Sequence, residues 1–174
     1  LMSDLERFAS AQVAFRAQVR QLVSRLAEQT RHSLALVHAD IHFGNLFVDN
    51  GQLWIFDFDN CEYGTVEQEL ATVLYDAIYC RVLMTVPPEE RASAIAARRS
   101  GFFSGYRTAR GNYSLNDDLL KEFLVLREAM IYLHYHRVLD LTKVAPSFLA
   151  GLEEMRQNVE RGVPAFATEL LELR

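Results

Sequence analysis

Two cysteines, Cys61 and Cys80, are all that the 174 residues contain. So few thiols exclude a disulfide framework and a zinc site built on cysteine. They fit a reducing compartment, with both side chains expected as small buried hydrophobes. No apolar run approaches the ~18 residues of a membrane span, and the opening LMSDLERF lacks a charged stretch followed by an apolar one, so neither an anchor nor a secretion signal is expected. Basic charge is also in deficit: 18 Lys and Arg stand against 23 Asp and Glu, a formal net charge of −5. A protein that coats nucleic acid needs the opposite balance, whereas an acidic chain suits a cationic small molecule or a metal. Repeats, low-complexity segments and linkers are missing too. The sequence is 50% hydrophobic and 24% charged, which is ordinary for one soluble, cytoplasmic domain.

Most of the chain reads as helix. Ser3 and Glu6 stand in a capping-box relation, and Leu5, Phe8, Phe15, Val19, Leu22 and Leu26 recur at helical spacing, so a leading helix is expected from 3 to about 29. Thr65 and Gln68 form a second box, heading a helix to about 84, where Pro87 and Pro88 stop it. Further helices are expected over 89 to 110, 116 to 142 and 146 to 161. Arg98, Arg99, Arg107 and Arg110 cluster on one of them and read as a solvated face. Between the first two helices lie β-prone runs at 34 to 37, 46 to 48 and 53 to 58. The pair Asn50-Gly51, tolerant of positive φ at both central turn positions, joins the last two into a hairpin.

That hairpin belongs to the stretch VHADIHFGNLFVDNGQLWIFDFDN, residues 37 to 60. It sets Asn45 at the start of one strand and Asp57 near the end of the other, so both can reach one ion. An amide carbonyl and a carboxylate are hard oxygen donors of the kind Mg²⁺ takes, with water and substrate phosphates filling its other positions. Asp40, in the loop before the hairpin, is free to face a substrate and accept a hydroxyl proton. These are separable parts of a phosphoryl-transfer site. A zinc or iron hydrolase drawing on His38, Asp40 and His42 with His134 and His136 is a second reading, since imidazole suits such metals. Against it, His134 and His136 stand about 200° apart on a helix. A noncatalytic binding module is a third.

His38-Ala39-Asp40 followed by Asn45 resembles the H-x-D-x-x-x-x-N catalytic loop of the protein-kinase-like fold, with Asp57-Phe58 where that fold keeps its metal motif. HADIHFGN followed by IFDFD is similar, more narrowly, to the aminoglycoside phosphotransferase and choline kinase-like family. The resemblance implies Asp40 as catalytic base or hydroxyl-orienting group, and Asn45 with Asp57 as ligands for Mg²⁺ and its nucleotide. Asp59 would touch the metal or cap a turn. His38 would support the loop, and His42 would support it or meet the transferred phosphate. An acid in the next helix, often within D-L-A, anchors the loop in that family. Here the matching residues are Glu69-Leu70-Ala71, one methylene longer.

The implied fold is α+β and mainly helical: a kinase-like C-terminal lobe with a leading helix at 1 to 30, catalytic loop, hairpin and metal motif at 34 to 60, and a helical substrate subdomain at 65 to 174. A nucleotide lobe with its phosphate-holding lysine is not legible before His38, a region without lysine. The expected role is therefore the catalytic and substrate-binding lobe of an ATP- and Mg²⁺-dependent kinase acting on a small-molecule alcohol. By itself the lobe is expected to be inactive and to self-associate through its uncovered hairpin. Asp76, Tyr79, Glu128, Tyr132 and Tyr135 are candidates for the wall of a pocket that takes a cationic amine.

Overall fold

The computed structural model describes residues 1 to 32, 34 to 111 and 114 to 165; the end of the expected substrate subdomain, 166 to 174, lies outside them. The helices are α1 (Met2–Phe8), α2 (Val13–Thr30), α3 (Val66–Thr72), α4 (Arg81–Thr85), α5 (Arg91–Arg110), α6 (Asp117–Val138) and α7 (Pro146–Arg161). The strands are β1 (Ala35–Val37), β2 (Leu46–Asp49), β3 (Gln52–Ile55) and β4 (Glu62–Gly64).

Helix α6 is the axis of the helical part, packed against α1, α2, α3 and α7. It can sit there because apolar residues fall on most of its circumference: Leu120, Phe123, Leu124, Val125, Ala129 and Leu133 are all buried. Asn116 caps its start by accepting from Leu119 N at 3.1 Å. The helix ends at Val138, short of the expected 142, because Leu139 turns extended and Asp140 caps a separate short turn, Leu141–Lys143. Buried Glu128 accepts from Asn158 Nδ2 on α7 at 3.0 Å and from Ala165 N at 2.9 Å, tying α6 to the end of α7. Burial pushes its carboxyl up to about 7 despite these bonds.

The leading helix is broken, and the expected capping box at its start does not form. Leu1 takes the N-cap position without a side-chain bond, and the chain leaves the helix at Ala9 and re-enters it after Gln12. On one straight helix, at about 100° per residue, Leu5 and Phe15 would point roughly 80° apart. The break lets both be fully buried. Glu6, freed from capping, pairs with Arg16 at 2.7 Å and with Arg20 across the break.

The second helix keeps its start and changes its winding. Thr65 Oγ1 accepts from Gln68 N at 3.2 Å, but the Gln68 amide donates to Glu62 rather than closing the box. From Val73 to Cys80 the rod is a π-helix, after which α4 resumes and ends at Thr85.

Two small antiparallel sheets stand between α2 and α3. β1 pairs with β4, Leu36 opposite Tyr63, and β2 pairs with β3, Leu46 opposite Ile55. The hairpin turn has positive φ at both Asn50 and Gly51, as its sequence requires. β3 stops at Ile55 rather than 58 because Asp57 adopts left-handed backbone, φ 63°, which no strand continues. Neither cysteine is fully buried, which corrects the sequence expectation: Cys61 follows the exposed residues Asp57 to Asn60 and Cys80 borders a cleft, where burial pushes its thiol up to about 12. The Arg98, Arg107 and Arg110 side chains are exposed on α5.

Candidate active site

Strand β1 ends at buried Val37 and delivers the chain to His38, itself buried. Glu69, in the first turn of α3, meets it there. One carboxylate oxygen accepts from His38 N at 3.0 Å and the other from Ala39 N at 2.8 Å. This double bond to backbone amides holds Ala39 in the left-handed region, φ 62°, an uncommon place for a residue with a side chain. The longer Glu therefore reaches the loop in this chain. His38 Nε2 lies 3.0 Å from the Phe56 carbonyl. A carbonyl only accepts, so Nε2 carries the proton, and buried Nδ1 finds no hydrogen-bond partner among the described residues. The ring also packs on Phe58, centroids 4.7 Å apart.

Beyond Ala39 the chain presents Asp40 and then turns through a short 3₁₀ segment, Phe43–Asn45, capped by His42, whose Nδ1 accepts from Gly44 N at 2.9 Å. A Cβ at Gly44 would stand 2.6 Å from the His42 ring, so the glycine is required by this approach. With Nδ1 accepting, Nε2 carries the proton of the neutral ring and faces Asp40 Oδ2 at 3.7 Å. Buried Asn45 donates from Nδ2 to the Asp40 carbonyl at 3.0 Å, and its own carbonyl accepts from Phe56 N. The loop is thus fastened at both ends, by Glu69 in front of Asp40 and by Asn45 behind it.

The Asp40 carboxylate has two further neighbours, neither of which motif reading picked out. Asn60 Nδ2 donates to Oδ2 at 3.2 Å, and Arg127, from the middle of α6, approaches Oδ1 at 3.4 Å. Arg127 left one signal in the sequence: with Glu128 it interrupts the otherwise apolar run around the centre of α6, and a charge in such a run needs a partner. Its main partner is Asp76, whose Oδ2 accepts from Nε at 2.7 Å. Burial raises the Asp76 carboxyl and the adjacent guanidinium opposes that shift.

Asn45, Asp57 and Asp59 are not joined by side-chain contacts. The ladder sets Asn45 opposite Phe56, so Asp57 lies just past the open end of the hairpin, and Asp57 and Asp59 are both exposed. With Nδ2 committed to Asp40, only Oδ1 of Asn45 is left to offer an ion. One amide oxygen and one exposed carboxylate fit Mg²⁺, which binds through one or two protein ligands and completes its shell from water and phosphate. Among the described residues no three His, Cys, Asp or Glu side chains are grouped to hold a metal, so the histidine-based hydrolase site does not assemble. His134 faces the cleft, while His136 packs on Tyr132 with ring centroids 4.4 Å apart.

Asp40 and His42 open onto a cleft of about 800 Å³. Its far wall is one face of α6, where Arg127, Met130, Ile131 and His134 follow at helical spacing; Asp76 and Cys80 come from the π segment. Of the five wall candidates, Asp76 and Tyr135 line this cleft. Glu128 and Tyr132 do not, because one residue along α6 is about 100° around it and turns them into the core. There Tyr132 packs on Phe15 and accepts from Gln12. Tyr79 is buried against Tyr75.

The chain matches the family model described as "Phosphotransferase enzyme family" over residues 2–114. Amicoumacin kinase of Bacillus subtilis (strain 168) is 28% identical over 143 residues, which cover 82% of this chain and 42% of that protein. A solved structure, amicoumacin kinase hAmiN in complex with AMP-PNP, Ca²⁺ and Ami, superposes with a TM-score of 0.63 at 29% identity, over 85% of this chain and 45% of its own. The chain spans less than half the length of these relatives.

Proposed function

The chain belongs to the phosphotransferase enzyme family, and from that footing we propose that it is the catalytic and substrate-binding lobe of an ATP-dependent kinase that phosphorylates a hydroxyl of a small molecule. The observation that carries this is the Asp40 carboxylate: it opens onto the cleft while its backbone is fastened by Glu69 on one side and Asn45 on the other. A carboxylate so held can orient an acceptor hydroxyl and take its proton, one of the positioning roles on which phosphoryl transfer depends. His38 and Glu69 support the loop, and His42 stands where it can support Asp40 or meet the moving phosphate. Asn45 and Asp57 would hold Mg²⁺ with the nucleotide, and Asp59 would assist at the metal. A bound Mg²⁺ would neutralise phosphate charge as transfer proceeds.

The acceptor to try first is amicoumacin, for which the relatives are named. The cleft is lined by the carboxylates of Asp4, Asp40, Glu62 and Asp76 and by Arg81, Arg127 and Arg137, with Asp4 paired to Arg137 and Asp76 to Arg127, so an amine on the acceptor would be met by Asp40 or Glu62. The metal assignment is tested by titrating Mg²⁺ with AMP-PNP, by calorimetry, into the complete protein and its Asp57→Ala variant. Affinity should fall by more than ~10-fold, the loss that removal of even an outer partner brings to a metal site. Equal affinity in the two proteins would remove Asp57 from the metal.

The remainder of the nucleotide site would lie in a separate lobe that covers the hairpin. Phe47, Val48, Leu53 and Trp54 occupy both faces of the β2–β3 pair and all are exposed, Trp54 to 50%, with Phe47 and Trp54 stacked at 6.0 Å. A two-stranded ribbon is marginal without a packing partner, and apolar surface of this kind seldom stays bare. Residues 1 to 174 expressed alone are therefore expected to self-associate in light scattering as concentration rises. A strict monomer with amide protection throughout 46 to 58 would show the ribbon to be self-sufficient.

A further inference from the structure

We propose that Arg127 is a positioning residue for the Asp40 carboxylate and that Asp76 holds it in place for that task. The proposal rests on the reading of Asp40 as the group that orients the acceptor hydroxyl. Arg127 lies 87 residues beyond Asp40 in the chain, on the α6 wall of the cleft, and reaches it from there. The Arg127 and Asp76 side chains are 14% and 12% exposed, so this is no solvated surface pair. A guanidinium is planar, and one bonded through Nε at 2.7 Å has the directions of its other N–H groups fixed as well. One of those groups points at Asp40 Oδ1, while Asn60 takes Oδ2. Each oxygen of the carboxylate therefore has its own donor, and rotation of the group is restrained.

The two distances are unequal, and the inequality matters. Arg127 is bound closely to Asp76 and only loosely, at 3.4 Å, to Asp40. A tight bidentate pair with Asp40 would use both of its oxygens and leave little basicity for a hydroxyl. Asp76 draws the guanidinium back, so Asp40 is aligned without being consumed. This also gives Asp76 a reason to stand desolvated on the π segment, and π turns recur where helices serve a site.

The test compares Arg127→Met, Arg127→Lys, Asp76→Asn and Asp40→Asn in the complete protein. ADP release is followed with MgATP and amicoumacin, and with MgATP and water as the only acceptor. Misplacing a reacting group by about 1 Å costs on the order of 10²-fold. Arg127→Met should therefore lower kcat by about that factor with KM for ATP unchanged. Arg127→Lys should restore part of the loss, because an ammonium can meet one carboxylate but not orient two. Asp76→Asn should fall between them, and adding Arg127→Met to it should cost little more, since both remove the same hold. Arg127→Lys and Asp76→Asn keep the buried cation and carry the comparison if Arg127→Met does not fold. Wild-type kcat in the Arg127 and Asp76 variants beside an inactive Asp40→Asn would overturn the positioning role. A loss confined to KM for the acceptor would overturn it too, by making Arg127 a binding group. Wild-type turnover in Asp40→Asn would instead sink the reading beneath it.

Discussion

Asp40→Asn in the complete protein is expected to lower kcat by about 10²- to 10⁴-fold, the range of a general-base contribution, while nucleotide affinity holds. The substitution is a clean one in this site. Asparagine has nearly the same volume, and its carbonyl can still accept from Arg127 or Asn60, so the cleft need not rearrange. What it lacks is the ability to take a proton. On the function proposed above, the nucleotide meets Asn45 and Asp57, whose side chains the change does not alter. Steady-state kinetics paired with AMP-PNP calorimetry separates the two quantities. A protein that binds nucleotide and shows no turnover even as wild type, with every acceptor tried, would fit the noncatalytic binding module instead.

Glu69→Ala should come next in size. Two backbone amides would lose a charged acceptor, and hydrogen bonds to charged groups contribute about 1.5 to 3 kcal/mol each. Ala39 would then have little to hold it at positive φ, a conformation costing an L-residue roughly 1 to 2 kcal/mol. The loop is expected to relax, carrying Asp40 out of register, so turnover should drop by about 10²-fold together with a lowered melting temperature. Glu69→Gln keeps one acceptor oxygen and should be intermediate. Glu69→Asp is the informative case: it restores the acid type that the resemblance led one to expect, yet Thr65 fixes the start of α3, so the shorter side chain falls short of the amides. Normal turnover in Glu69→Ala, with the amides of residues 38 and 39 still protected from exchange, would show that Asn45 alone fastens the loop.

The parts of the site legible in the sequence are those whose geometry is local. Spacing within eight residues sets His38, Asp40 and Asn45 around one turn, Asn50-Gly51 dictates the hairpin, and Thr65 announces α3. Pro146 and Gly162 bracket α7 at the expected bounds, Gly162 in left-handed backbone. What escaped depends on partners far along the chain. Arg127 reaches Asp40 only because α6 packs on α3, and Glu128, its neighbour, faces the core because α6 also packs on α7. The break between α1 and α2 answers to α6 as well: Gln12 Nε2 donates to the Tyr132 hydroxyl at 2.6 Å, a bond that local capping chemistry does not foretell.

The winding of Val73–Cys80 bears on how the cleft keeps its shape. A π-helix bonds each residue to the fifth one on, so the segment stores an extra residue within a rod that begins and ends in ordinary α geometry. Deleting one residue there would let the ladder close in α form with its ends still joined to α3 and α4, and the core would lose little. The cost would be one of phase. Side chains inside the rewound segment would be re-aimed while those of α3 and α4 kept their places, and Asp76 would cease to face Arg127. A chain shortened at that point would keep its helical frame around a cleft with a different wall, so the winding of this segment sets the shape of the cleft independently of the loop that carries Asp40.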